Sequence, residues 1–371
     1  MRSLRLGSQS LLIVALALTL VSCTSASPPA PTSTSTPSSV PTAEPVSDSP
    51  LTCGNVVSTA AAAAALTGAD GVAPAVVEAL QPSYAAELVE ITGAGGLACS
   101  WRVGEGQNRI GDEQGNWAYL TVEILPHANN QWVAPYAGDT PSEEHRLVSR
   151  LEATTAAGEA GWLISAAVGS AWVEVTVRSS GVISGGSRFD GMSDRVLDGM
   201  MPAAESTFAA VQAATPGQMS WPKLPFREGE SQCDGGVAQA GIASALQLGS
   251  TPGVYTLRDA RVDGIYGLSD AVNARIGAFD CELYTEGYGY AEITVLRDFA
   301  SSIDTLGSAP DISSALEPVV LEGAVDGEKA LQAIREDGPS APLYFTVGQT
   351  LYIVESDGPV AVAEAIIAQT R

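Results

Sequence analysis

The chain has 371 residues, 45% of them hydrophobic, and a formal net charge of −24. That length suits about two domains with real cores. Only two of the 18 basic residues are lysines, Lys223 and Lys329, and so acidic a surface repels phosphate backbones, which argues against nucleic-acid binding.

Arg2 and Arg5 precede an apolar run from Leu11 to Leu20. This run has the length of a secretory signal core and is short for a membrane span. It ends in Leu20, Val21, Ser22 and Cys23, which resembles the lipobox of bacterial lipoproteins. The resemblance implies diacylglycerol transfer to the Cys23 thiol, cleavage before Cys23, and anchoring on the outer face of the cytoplasmic membrane. Residues 1–22 are then the signal peptide. Residues 23–50, rich in Ser, Thr, Pro and Ala, form a disordered tether with too little apolar surface to offset chain entropy.

Five cysteines leave four beyond Cys23, and on the exported side disulfides persist. Four cysteines allow three connectivities. The spans Cys53 to Cys99 and Cys233 to Cys281 resemble one another, each opening a small-residue helical run and ending in strand formers. This recurrence favours Cys53–Cys99 and Cys233–Cys281, each closing a loop of roughly fifty residues for about 4 kcal/mol. No CxxC motif points to redox chemistry.

The copies match further along. Helices are expected over Thr59–Leu66 and over Pro74–Leu80 or beyond, and over Val237–Leu248 and Leu268–Ile276. Strands with period-two alternation follow at Trp117–Leu125 and Tyr288–Leu296. Gly158–Trp162 pairs with Gly327–Leu331. Val168–Val175 pairs with Val347–Val354, each starting at a Val-Gly hairpin turn. Closing helices are expected at Asp194–Ala213 and Val360–Thr370. The expected architecture is α+β, in two tandem repeats at 51–214 and 231–371. A proline-rich connector at 215–230 carries Trp221 and Phe226.

The signal, the tether and the Cys53…Cys99-x-Trp101 pattern resemble actinobacterial cell-envelope lipoproteins of unknown function. The Gly-Glu turn, Val-Gly hairpin and final helix fit the same group. The family's domain is similar in outline to extracytoplasmic sensor domains of mycobacterial serine/threonine kinases. That similarity implies two helices packed on a twisted antiparallel sheet; the one internal disulfide in each repeat rests on the recurrence of the cysteine span. It supplies no catalytic residues.

The only histidines are His127, at a strand end, and His145, at an expected solvated helix start. No HExxH, GxSxG, P-loop or calcium-loop motif accompanies them. No catalytic, cofactor or metal residues are therefore assigned. Trp162 and Trp172 align with Leu331 and Leu351, so they read as core filler.

Trp117 and Tyr119 align with Tyr288 and Tyr290. Alternation puts Ala118, Leu120, Val122 and Ile124 on the core face and these aromatics on the other, beside Glu123 and Glu292. Two aromatics and a carboxylate could floor a groove for sugar or peptide; the alternative is that another element covers them. The expected function is a non-catalytic, lipid-anchored binding module for a cell-wall glycan, a peptide or an envelope protein. The alternatives are a wall-acting hydrolase and a structural scaffold.

Overall fold

The computed structural model describes residues 48–106, 116–134, 144–148, 151–158, 161–180, 187–224, 239–247, 256–259, 265–285, 288–334 and 341–371. At 144–148, 151–158, 193–194, 239–240, 256–259, 284–285 and 288–290 it fixes the backbone only. Cys23, Cys233 and Phe226 lie outside the described residues.

Helix α1 (Cys53–Val56) leads into α2 (Thr59–Ala65), a run dominated by alanine, the best helix former. Ser58 caps α2, its Oγ accepting from the Ala61 amide at 3.2 Å. The helix expected at Pro74–Leu80 is not formed. An edge strand, β1 (Val77–Glu78), takes its place, and the helix comes later as α3 (Ala85–Gly93). Val76 and Val77 are β-branched and favour extended backbone. Pro82 opens a 3-10 turn that runs directly into α3.

The first sheet contains β1, β2 (Leu97–Val103), β3 (Ala118–Leu125), β4 (Glu144–Val148), β5 (Leu151–Gly158), β6 (Gly161–Val168) and β7 (Ala171–Ser179). It is antiparallel, in the order β1-β2-β3-β7-β6-β5-β4. His145 therefore lies in strand β4 and not at a helix start: its pairing with Thr154 of β5 overrides the helix-like acidic residues before it. Helix α4 (Ser193–Ala213) follows.

The remaining elements are α5 (Gln239–Ala245), β8 (Thr256–Asp259), α6 (Leu268–Ile276), β9 (Phe279–Thr285), β10 (Tyr288–Leu296), α7 (Ser302–Leu306), β11 (Leu316–Pro318), β12 (Ala330–Ala333), β13 (Leu343–Val347), β14 (Thr350–Ser356) and α8 (Pro359–Thr370). Their sheet runs β8-β9-β10-β14-β13-β12-β11, the first order with every index raised by seven.

Register matches as well as order. Cys99 lies opposite Val122, Val122 opposite Val175, and Val175 opposite Ile164. Cys281, Ile293, Val354 and Leu343 form the same row in the second sheet. The helices that feed β2 and β9 end alike, on left-handed Gly95 (φ 74°) and Gly277 (φ 66°). The Gly96 amide then bonds Ile91 O, and the Ala278 amide bonds Asn273 O. This is the six-to-one bond of a glycine-terminated helix.

One expected correspondence shifts. Gly158–Trp162 joins β5 to β6, whereas Gly327–Leu331 leads into β12, one strand too early. Glycine turns occur at several hairpins, so residue type alone misplaced this one. With Ile164 matched to Leu343 through the register, Trp162 corresponds to Ala341 rather than Leu331. Trp172 and Leu351 do correspond, opposite Leu125 and Leu296 respectively.

Three cores result. One lies between the first sheet and α2 and α4, and takes in Leu120, Val122, Ile124 and Trp162. Another lies between the second sheet and α8, around Ile293, Val354 and Phe345. The third joins the two halves, with Leu88, Val89, Leu125 and Trp172 packed with Ala271, Val272, Leu296 and Phe299. Trp221 of the connector packs on the first core, its Nε1 donating to Leu51 O at 2.8 Å.

Cys53 and Cys99 form a disulfide with Cα atoms 5.4 Å apart, tying α1 to β2. Cys281 is also disulfide-bonded, to a cysteine outside the described residues. Among the described residues no helix is long and apolar enough to cross a membrane.

Candidate functional site

Strand alternation gives each sheet a second face, turned away from its helix-covered core. On the first sheet that face carries Tyr119, Thr121, Glu123 and Leu125 from β3. Beside them, from β7, are Arg178, Thr176, Glu174 and Trp172, paired one to one in the register. Glu123 and Glu174 are thus direct cross-strand neighbours. Helix α3 adds Glu87 and Glu90 while its apolar residues Leu88, Val89 and Ile91 enter the shared core.

The aromatics expected to floor an open groove are covered. Tyr119 is 1% exposed and Trp117 4%, with ring centroids 5.8 Å apart. The cover comes from the second half: Tyr119 Oη donates to Asp311 Oδ2 at 2.9 Å, and Arg102 Nε reaches the same oxygen at 2.5 Å. Glu123, expected beside them, is half-buried farther along the same face. Tyr288 and Tyr290 lie in β10, where only the backbone is described, and Glu292 is exposed. Trp117 and Tyr119 are closed off because β3 is an interior strand with Asp311 of the second half over Tyr119.

A set of carboxylates follows along the same face. Glu90 is 7% exposed. Burial pushes its pKa well up, and Glu87, Asp280 and Glu123 push in the same direction. Burial also pushes Glu123 up to about 8, with Glu174 and Glu87 adding to the shift and Arg178 opposing it. Glu174 is pushed up to about 7 by burial, against hydrogen bonds from Ser165 and Trp172. Glu87 is raised by burial as well. Glu87, Glu123 and Glu174 are half-buried and keep part of their surface for solvent.

Polar partners fix parts of this set. Ser165 Oγ donates to Glu174 Oε1 at 3.1 Å and accepts from Trp132 Nε1 and Trp172 Nε1 at 3.1 and 3.0 Å. The Arg178 guanidinium lies 4.5 Å from the centre of the Tyr84 ring. The second sheet contributes Tyr344, Asp280 and Glu355, which act electrostatically on α3. Glu282, Glu292 and Glu355 follow one another across β9, β10 and β14. Burial and the neighbouring acids raise the Glu292 pKa.

Sequence reasoning missed Glu87, Glu90, Glu174, Arg178 and Glu355. Glu174 had a legible signal: it alternates with Trp172, Thr176 and Arg178 along a strand whose intervening valines are core. Glu90 had none, since a glutamate in a helix is ordinarily solvated. Among the described residues no group of three or more His, Cys, Asp or Glu side chains is arranged to hold a metal ion. Comparison with protein-family models, with curated proteins and with solved structures finds no match.

Proposed function

We propose that the protein is a lipid-anchored extracytoplasmic binding module, built from two copies of one disulfide-bonded α+β unit, with its ligand site at the glutamates of α3, β3 and β7. The duplication is supported by the shared strand order, the shared register row through Cys99 and Cys281, and the paired Gly95 and Gly277 helix ends. The anchor rests on the Leu20–Cys23 lipobox. Cys233 is then the partner of Cys281.

The observation that carries the binding reading is Glu90, a buried carboxylate whose charged neighbours Glu87, Asp280 and Glu123 are all acidic. Such a group keeps its proton rather than bear a buried charge, and a cationic group brought beside it would let it ionise and pair. Of the ligand classes expected for an envelope protein, an amine-bearing wall peptide fits best. Isothermal titration with soluble wall peptides tests this. Peptides with free amines should bind, while N-acetylated counterparts and the E90Q/E123Q variant should not. Equal binding of acetylated peptides, or none by either form, would overturn the reading.

A hydrolytic reading draws on one observation, the adjacent Glu123 and Glu174 with pKa values of about 8 and 7, since a carboxyl that keeps its proton near neutrality can serve as a general acid. Release of reducing ends from wall glycan, lost in E123Q and E174Q, would favour it.

A further inference from the structure

The chain enters the fold through a clip. Leu51 is buried in the first core, and both its backbone groups are held by the connector that follows α4. Its amide donates to Gln218 O at 2.9 Å, and its carbonyl accepts from Trp221 Nε1 at 2.8 Å. Thr215 Oγ1 donates to Asp48 Oδ1 at 3.3 Å, and a Cβ at Gly217 would stand 3.2 Å from Asp48 O. The connector is itself braced here: the Met219 amide bonds Thr215 O, and the Thr215 amide bonds Gln218 Oε1. Two residues after Leu51, the Cys53–Cys99 bridge joins α1 to β2.

Cys99 lies inside β2, every residue of which pairs with β3. Its neighbour Ala98 faces Glu123, and Glu123 faces Glu174. The bridge therefore enters the first sheet one residue from the row that carries two of the proposed ligand glutamates. We propose that clip and bridge form a mechanical link, which passes tension on the N-terminal chain straight into β2 and on to that row. A pull on Asp48 meets the clip and then the bridge, and it spares the closed loop that holds α1, α2, β1 and α3. Applied at Cys99, the pull works against paired residues on either side of it. Without the bridge the same pull draws out that loop first and then peels β2 from its Leu97 end. Forced opening follows the unfolding rate along the path taken, so one strong step gives way to two weaker ones. Tension arises only in a chain anchored at one end and engaged at the other, so the link's role rests on the anchor and the ligand site of the proposed function.

Single-molecule stretching of the full chain, held at its two ends with its bridges intact, needs neither lipid nor ligand. The native chain should open its first half without an early extension. C53A/C99A, which leaves the Cys281 bridge in place, should release about 160 Å as a separate step before the first sheet opens, the extended length of a span of 46 residues. W221F keeps an aromatic ring but loses the donor to Leu51. At lower force than the native chain it should free about 20 Å, the extended span from Asp48 to Cys53, and stop there. Should C53A/C99A fail to fold, W221F alone decides. A C53A/C99A chain without the separate step would overturn the link, and so would an early extension of the native chain. A W221F trace that matches the native one, or that runs past Cys53 before the sheet opens, would overturn it as well. Acylation of Cys23 and peptide binding are read in their own experiments, so a failure of either is distinguishable from a failure of the link.

Discussion

Tyr119 Oη donates a 2.9 Å hydrogen bond to Asp311 Oδ2, joining residues 192 apart in the chain. Asp311 holds a left-handed backbone (φ 66°) and takes Arg102 Nε on the same oxygen. A loop of the second half thereby covers a strand face that alternation alone leaves open. Asp311→Ala should cost about 1–3 kcal/mol, because two mostly buried donors lose their acceptor. Tyr119→Phe should cost about 1 kcal/mol, since the Arg102 contact remains. Urea unfolding of the full chain measures both.

Stability should fall as pH rises through neutrality. The carboxyls of Glu123, Glu174, Glu87 and Glu90 all have folded pKa values above the ordinary carboxylate value. A raised carboxyl pKa favours the protonated folded state, so its contribution is complete below about pH 4.3, the unfolded value, and is lost on the way to the folded one. Glu174 and Glu123 place the end of that loss near pH 7 and 8. Urea midpoints should therefore be lower at pH 8.5 than at 5.5, and E123Q/E174Q should narrow the gap. A midpoint that rises with pH would refute the assignment.

Gly93→Ala should act as a wedge. The new methyl would meet the Phe299 ring, and relief requires that ring to move within a packed core. A loss of about 1–3 kcal/mol follows from overpacking. The compensating pair G93A/F299L should recover part of it, which a purely local helix effect would not do.

Loss of the Cys53–Cys99 bridge should cost about 3–4 kcal/mol in the chain-entropy account, for a loop with a sequence separation of 46. Non-reducing peptide mapping should also pair Cys281 with Cys233. A Cys23–Cys281 peptide would contradict both the duplicated bridge and the anchor.

Cys23→Ser should release the protein from membranes into the medium with the folded part intact. Mass spectrometry of the native protein should show an acylated Cys23 at its N-terminus. An uncut Ser22–Cys23 junction would refute the anchor.

Much of the architecture was written locally. Alternation in Trp117–Leu125 and Tyr288–Leu296 marks both central strands and their core faces. The Val-Gly pairs at Val168 and Val347 mark the last hairpins, whose glycines Gly169 and Gly348 have φ of 59° and 58°. Alanine-rich Thr59–Ala65 and the long run to Ala213 mark helices. These signals are legible because period and propensity depend on neighbours a few residues away. Where two local signals competed, as at Val76–Val77 and at His145, strand pairing decided.

The candidate site was not written that way. Alternation says that Tyr119 and Glu123 point away from the first core, but it cannot say what packs there. Only the fold brings Asp311 onto Tyr119, and Asp280 into the field of Glu90. The state of a carboxyl depends on solvent exclusion and on charges reached through space, and both are set by the meeting of the two halves. The sequence by itself determined an α+β chain of antiparallel strands and helices and many of the residues that build them. The tertiary structure alone decided that one apolar core joins the two sheets and that Glu90, ordinarily solvated on a helix, is buried.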